Sequence, residues 1–320
     1  MTAADAYRPG LHRYALVVVC ATAALLFVGG LVTSTGSALS VPDWPLSYGR
    51  VFPAMRGGVL FEHGHRMAAA TVGLLTIVLA AWLWRAESRA WVRWLGAAAL
   101  GAVVLQGVLG GVTVLLKLPV AVSVAHAGLA EIFFCLTVTI ALVTGPGWLD
   151  APPRTPDAGA PPLRALSRMS AGVVYLQILA GALVRHTGAG LAVPDFPLAF
   201  GRLWPDAGAM SPLVAYQLLH RAGALIVAVM VLWTAVATLR RHGGTPALRG
   251  PATVLVLLLA FQIYLGAAII WTRRAVVPTT AHVLSGALVL ATTLVLALRA
   301  SRLLEPLPSD RSSSPASTAA

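Results

Sequence analysis

Four histidines recur at equivalent places in this sequence, each near one end of a long apolar segment. Ionisable side chains inside a membrane are costly and usually serve a function. Two imidazoles on facing helices can ligate the iron of a planar porphyrin from both sides, and helical bundles commonly hold such cofactors. The sequence therefore predicts two bis-histidine heme sites. The predicted iron ligands are His65, His126, His220 and His282.

Other interpretations of these histidines are open from the sequence alone. The rings could bond to backbone and water near helix ends instead. A zinc or copper site would need converging Cys, Asp or Glu ligands, and only Glu62 lies nearby. His63 competes with His65 as a ligand, but the internal repeat aligns His63 with Leu218 and so favours His65. His186 is predicted to be a surface histidine, with contact to a substrate as the alternative.

Basic residues close to these histidines are suited to the carboxylates of a porphyrin. Two arginines directly follow a predicted ligand, and two further cations precede the second histidine of each half by nine residues. Charge-assisted hydrogen bonds between such cations and propionates are short and strong. The residues predicted to bind the propionates are Arg66, Lys117, Arg221 and Arg273.

An internal repeat is the strongest feature of the chain. Residues 29–50 and 181–202 are identical at 13 of 22 positions, including the shared Pro-Asp-aromatic-Pro-Leu block. That block cannot be helical, because proline removes backbone donors and restricts the preceding residue. His65 aligns with His220, and His126 aligns with His282. The repeat predicts two similar halves, each with an ordered outer loop and one pair of histidines.

One position breaks the repeat where chemistry is expected. Glu62, three residues before His65, becomes Gln217 in the second half. A carboxylate can accept a proton or stabilise developing positive charge, whereas glutamine cannot act as a base. Glu62 is therefore the predicted catalytic residue, and a cap or an ion pair with Arg66 is the alternative. Glu131, deeper in the fourth segment, is predicted to serve a proton path or to bond to a neighbouring helix.

The elements that must position these residues are transmembrane helices. Hydrophobic residues make up 58% of the chain, charged residues 11%, and the mean hydropathy is +0.81. Soluble domains carry about 25% charged residues. Apolar segments at 14–34, 61–84, 94–116, 121–145, 168–187, 213–239, 251–272 and 279–299 match the length of a bilayer span. The predicted fold is an all-α membrane protein of eight transmembrane helices, arranged as two parallel pseudo-repeated four-helix bundles.

The domain organisation and orientation follow from the same segments. We predict an N-terminal half at 1–145, a cytoplasmic linker at 146–167, a C-terminal half at 168–304 and a disordered tail at 305–320. Of the 23 basic residues, 14 lie on the side of the termini, which places both termini in the cytoplasm. The net charge of +12 is explained by these loops, so no nucleic-acid partner is expected.

These motifs resemble the heme A synthase family across nearly all of residues 14–299. The resemblance rests on E-x-x-H-R at residues 62–66, Q-x-x-H-R at residues 217–221, the T-G and P-D-W/F-P loops, and the single histidines His126 and His282. Some members carry a cysteine pair in the first outer loop, and residues 34–60 contain none. Any thiol chemistry of those members is therefore absent from this loop.

The resemblance implies oxidation of the C8 methyl of heme O to a formyl group by successive hydroxylations, giving heme A for terminal oxidases. It implies that His65 and His126 hold heme O beside Glu62, while His220 and His282 hold a permanent heme b that passes electrons. It also implies a bacterial inner (cell) membrane location, heme O synthase (a protoheme farnesyltransferase) as a candidate partner, and an unidentified electron acceptor. The alternatives are a b-type cytochrome electron carrier, a heme transporter or chaperone, and a scaffold without a cofactor.

Overall fold

The computed structural model describes residues 7–306, and eight of its helices are long and apolar enough to cross a membrane. They contain 24 to 31 residues each, so they reach past the hydrocarbon core into the interfacial layers. They are α1 (Pro9–Ser34), α2 (Gly58–Ala86), α3 (Ala90–Leu115), α4 (Val120–Val143), α6 (Leu163–His186), α7 (Pro212–His242), α8 (Pro246–Trp271) and α9 (Val276–Leu303), with a short α5 (Pro146–Leu149) between α4 and α6. The predicted all-α membrane fold with eight transmembrane helices is confirmed.

Several helices begin earlier than the apolar segments predict. α1 starts at Pro9 rather than at residue 14, and α8 starts at Pro246 rather than at residue 251. Proline fits the first turn of a helix, where its missing N–H would have no partner in any case. Apolar content marks the part of each helix that meets lipid, whereas the polar first turns continue the helix beyond it.

Each half of the chain forms a four-helix bundle with the same pattern of neighbours. In the first half, α1 packs on α2, α2 on α3, α3 on α4, and α4 closes the ring on α1. In the second half, α6, α7, α8 and α9 form the corresponding ring. The helices that carry the histidines, α2 with α4 and α7 with α9, are therefore diagonal partners that face each other across a bundle interior.

The two bundles meet through α1 and α4 of the first half and α6 and α9 of the second. Phe134 and Val138 of α4 pack there against Ala287 and Ala291 of α9 in one buried apolar cluster. Small residues on α9 let the two helices approach closely, as is common in membrane proteins. The contact places the two bundles side by side.

The segment between the halves is more ordered than a linker. Asp157 accepts hydrogen bonds from the N–H groups of Leu163 at 2.9 Å and Arg164 at 3.0 Å, so α6 begins inside the predicted linker. A two-residue strand β1 (Thr155–Pro156) pairs in parallel with β2 (Leu304–Glu305). The predicted tail lies outside the described residues from 307 onward.

The outer loops, residues 35–57 and 187–211, share one architecture. Asp43 accepts hydrogen bonds from the N–H groups of Tyr48 and Gly49, and Asp195 accepts the equivalent pair from Phe200 and Gly201. The hydrogen bonds from Gly49 and then Tyr48 lower the pKa of Asp43 below its ordinary value. The predicted ordered outer loops are therefore built on an aspartate turn in both halves.

Candidate active site

Each of the four histidines packs its ring against a glycine of a neighbouring helix. A Cβ atom added to the glycine would lie between 3.0 and 3.3 Å from the ring carbon Cε1, closer than side chains normally approach. A Cβ atom at any of these four places would require the histidine ring to shift by a few tenths of an ångström. The pairs are Gly29–His65, Gly110–His126, Gly181–His220 and Gly266–His282. The same packing in both halves indicates four rings held in comparable positions.

The histidines also lie at comparable places on their helices. Each one follows the start of its helix within about the first three turns, on the side of the outer loops. His65 and His126 are within electrostatic reach of each other across the first bundle, as are His220 and His282 across the second. The structure therefore brings the predicted ligands together in two diagonal pairs.

Every one of these rings keeps a nitrogen without a hydrogen-bond partner among residues 7–306. The buried Nδ1 atoms of His65, His126 and His282 have none, and Nε2 of His220 makes no hydrogen bond there. A buried polar atom with no partner is expensive and calls for an explanation. A neutral imidazole nitrogen with a free lone pair is what an iron ligand requires.

Glutamine side chains lie against three of the rings. Gln106 and Gln262 place their amide nitrogens 3.4 and 3.3 Å from Nε2 of His126 and His282, long for hydrogen bonds. Gln177 donates to Nδ1 of His220 at 2.9 Å and to its backbone oxygen at 2.7 Å. His220 is thus fixed with Nε2 toward the bundle.

The surroundings fit a planar porphyrin better than a bare metal ion. All four histidines keep some accessible surface although protein surrounds them, as expected for side chains that line a cleft between helices. Among residues 7–306, no cluster of three or more His, Cys, Asp or Glu side chains converges. A zinc or copper site would need such a cluster. Opposed single histidines, each with a free nitrogen, suit bis-histidine ligation instead.

Glu62 is buried and both of its oxygens are engaged. Oε2 accepts the N–H of Val41 at 2.8 Å, and Oε1 accepts Nη2 of Arg66 at 2.8 Å. Gln217 makes the equivalent loop contact in the second half, accepting the N–H of Val193 at 2.5 Å. The ion pair with Arg66, which the sequence offers as the alternative role, is therefore present. It holds a fixed carboxylate one turn from His65.

Arg66 and Arg221 hold the outer loops in place. The terminal nitrogens of Arg66 donate to the carbonyl oxygens of Asp43 and Leu46 at 2.7 and 2.8 Å. Arg221 donates to those of Asp195 and Leu198 at 2.6 and 2.8 Å. Within the described residues this leaves only Nε of Arg66, and Nε with one hydrogen of Nη1 of Arg221, for a propionate. Sequence spacing shows that they neighbour a ligand, but not that the loop folds back onto them.

Lys117 and Arg273 occupy matching turns. Both have a positive φ, at 57° and 50°, in the connections from α3 to α4 and from α8 to α9. Their side chains are exposed and make no hydrogen bond or ion pair with residues 7–306. Both cations are therefore available to an anion at the outer end of their bundle.

Comparison with known proteins identifies the family. A family model described as cytochrome oxidase assembly protein, COX15-CtaA, matches residues 56–294. This chain belongs to the COX15-CtaA family. A protein named heme A synthase from Symbiobacterium thermophilum is 33% identical over 248 residues, covering 75% of this chain and 78% of its own. Another of that name, from Shouchella clausii, is 29% identical over 276 residues, covering 83% and 88%.

Other ionisable groups of this COX15-CtaA member take roles that the sequence resolves only in part. His63 is buried and its Nδ1 lies 2.8 Å from the hydroxyl of Ser47, so it holds the first outer loop. His186 is partly buried and within electrostatic reach of His126 in the other half, which makes it more enclosed than predicted. Glu131 is buried at 4% exposure, and its Oε2 has no partner among residues 7–306.

The four glycines that pack against the histidine rings, which we call the glycine seats, are the functional feature that the sequence does not assign. Gly29 and Gly181 are identical repeat positions, as are Gly110 and Gly266. Their recurrence signals a shared requirement, but a sequence does not tell which side chain they face. The structure supplies the partner in each case.

Proposed function

We propose that this protein is a heme A synthase, which oxidises the C8 methyl of heme O to a formyl group through successive hydroxylations and loss of water. The observation that carries the proposal is the pair of diagonal histidine sites, alike in their glycine seats and different in Glu62 and Gln217. Relatives that carry the name heme A synthase cover most of this chain. The heme A product would serve terminal oxidases.

The first half is proposed to bind heme O. His65 and His126 would hold its iron, and the bound hemes would supply the redox chemistry. Glu62 is held by Arg66 and Val41 in one orientation, so its carboxylate is fixed one turn from His65. That carboxylate would accept a proton released at the reacting C8 group, or would stabilise positive charge that develops there. Gln217 holds its own loop in the same way but has no basic oxygen of this kind.

The second half is proposed to hold a permanent heme b through His220 and His282. Gln177 donates one hydrogen bond to Nδ1 of the His220 ring and one to the backbone oxygen of His220, and a partner that orients a ligating histidine strengthens binding. The equivalent residue in the first half is Leu25, which offers no hydrogen bond to His65. A fixed ligand suits a resident cofactor, whereas a less constrained one suits a heme that must enter and leave.

An electron carrier or a heme transporter would use two similar heme sites. Neither function requires a carboxylate in one half and an amide at the same loop-holding position in the other. The Glu62–Gln217 difference therefore favours a chemical step in the first half. The electron acceptor and any association with heme O synthase are further proposals that the family resemblance supports.

The proposal is tested by expressing the chain with a heme O-producing farnesyltransferase and analysing extracted hemes by mass. We expect heme A in cells that contain both proteins and heme O alone in cells that lack this chain. Cells with both proteins that accumulate only heme O would contradict the proposal, provided this chain is present in their membranes.

A further inference from the structure

Two arginines of the second half, Arg185 and Arg274, have no carboxylate partner among residues 7–306. Arg185, at the end of α6, is within electrostatic reach of both Arg274 and His282. Within residues 7–306, neither arginine has an acidic side chain at ion-pair distance. Like charges brought together repel, and partial burial of Arg185 weakens the screening by water.

Arg185 is only partly satisfied by protein atoms. Its Nη2 donates to the carbonyl oxygen of Gly30 at 2.7 Å and to the hydroxyl of Ser34 at 3.2 Å, both on α1 of the first half. Thr280 of α9 donates to the same Ser34 hydroxyl at 3.1 Å. These bonds fix the guanidinium between the bundles. They leave Nη1 and Nε without a hydrogen bond to the described residues.

Arg274 has no hydrogen bond from its side chain to residues 7–306. It lies in the turn between α8 and α9 with a φ of 68°, and its methylene chain runs along Gly190 of the second outer loop. Gln217 donates to the carbonyl oxygen of Gly190 at 3.2 Å, so this stretch of the loop is anchored. The anchored loop therefore fixes the course of the Arg274 methylene chain, and the guanidinium keeps all of its donors free of hydrogen bonds to residues 7–306.

The first half contains neither arginine. In the repeat, Arg185 corresponds to Thr33 and Arg274 corresponds to Leu118. Leu118 has nearly the same backbone conformation as Arg274, with a φ of 63°, so the turn itself does not require an arginine. The arginine pair is a property of the second site rather than of the fold.

We propose that Arg185 and Arg274 form an anion site that binds the carboxylates of the porphyrin held by His220 and His282. The inference rests on the proposed function, because that function supplies the porphyrin. Guanidinium groups bind carboxylates through paired, charge-assisted hydrogen bonds. The extra cations make the second site retain its heme, while the first site, with Thr33 and Leu118, releases its own.

The test replaces each arginine by its first-half counterpart in the full-length protein. Arg274→Leu removes no hydrogen bond of the fold, and Arg185→Thr removes those to α1. Ser34→Ala serves as a control for the link between the bundles, and Arg249→Gln, at the exposed start of α8, serves as a control for net charge. A His65→Ala background confines bis-histidine binding to the second site.

Iron protoporphyrin IX and its dimethyl ester are titrated into each variant in phospholipid-free detergent, with Soret absorbance as readout. We expect each arginine substitution to weaken binding of the free diacid roughly tenfold and to leave the ester unaffected. Ser34→Ala and Arg249→Gln should bind both like the parent. A lowered midpoint potential in Arg274→Leu would also support the site, because a cation near the heme favours its reduced form.

Equal binding of the diacid by the His65→Ala parent and by the variant that also carries both Arg185→Thr and Arg274→Leu would overturn the proposal. An equal loss for the diacid and the ester would also overturn it, because the effect would then be structural. If the parent and the arginine variants differ in diacid binding only when anionic phospholipid vesicles are added, the arginines bind lipid headgroups and the proposal is wrong. Failure of the wild-type protein to make heme A, with the binding difference intact, would reject the proposed function but not this site.

Discussion

Gly181 lies so close to His220 that a Cβ atom on it would sit 3.0 Å from the ring carbon Cε1. The ring cannot easily turn away, because Gln177 holds its Nδ1 at 2.9 Å. Gly29 stands in the same relation to His65, where no glutamine holds the ring. Gly29 of α1 and Gly181 of α6 thus limit the positions that the rings of His65 and His220 can take inside the two bundles.

Gly181→Ala is therefore expected to weaken heme binding in the second half. Inserting a methyl group into a tight contact costs about 1–3 kcal/mol, which corresponds to a fivefold or greater loss of affinity at these magnitudes. Heme content per protein, measured from the reduced b-type spectrum, checks this. Gly172→Ala on the same helix is the control, because a Cβ there meets nothing within 4 Å. Equal heme content in both variants would contradict the proposed seat.

His63 and His65 offer a comparison within one helix. His65→Ala should abolish binding of heme O, because it removes a ligand of the first pair. His63→Ala should keep heme O binding and loosen the first outer loop, because it removes the contact with Ser47. Titration of heme O into each purified variant distinguishes the two. Loss of heme O from His63→Ala, with His65→Ala unaffected, would reverse the ligand assignment.

The first outer loop should respond to acid through Asp43. Hydrogen bonds from Gly49 and Tyr48 lower its pKa, so the ionised form is the one that the folded loop stabilises. This stabilisation is present above the ordinary pKa of an aspartate and is lost as the pH falls through the lowered value. Proteolysis of the loop by pepsin should accelerate in that range. Asp43→Asn should be cleaved readily at every acidic pH, and a wild-type profile in that variant would be inconsistent with the turn.

Much of this fold is predictable because lipid imposes strong local rules. Apolar length fixed the number of helices, and the repeat placed His65, His126, His220 and His282 at one level. The ordered linker was not predictable, because Asp157 caps α6 through a contact that composition does not reveal.

The polar residues of the site were harder to assign than the helices. Arg66 and Arg221 neighbour the ligands in sequence, yet their terminal nitrogens donate to loop carbonyl oxygens 20 to 26 residues away. Sequence spacing does not indicate a role for Arg185, because this residue acts at the contact between the halves. Spacing along one helix shows which residues share a face, whereas such contacts depend on how loops and bundles pack.

Substitution of Glu62 by glutamine tests the central claim most directly. Gln217 holds its loop through the N–H of Val193, so Glu62→Gln should still accept the N–H of Val41 and leave the first bundle intact. Coexpressed with a heme O-producing enzyme, this variant should show the wild-type b-type spectrum and should accumulate heme O above the wild-type level. Its heme A, measured by mass in extracts, should fall by about 100-fold or more, the contribution of a positioned acid–base group. Heme A at the wild-type level would contradict the assignment of chemistry to the first half.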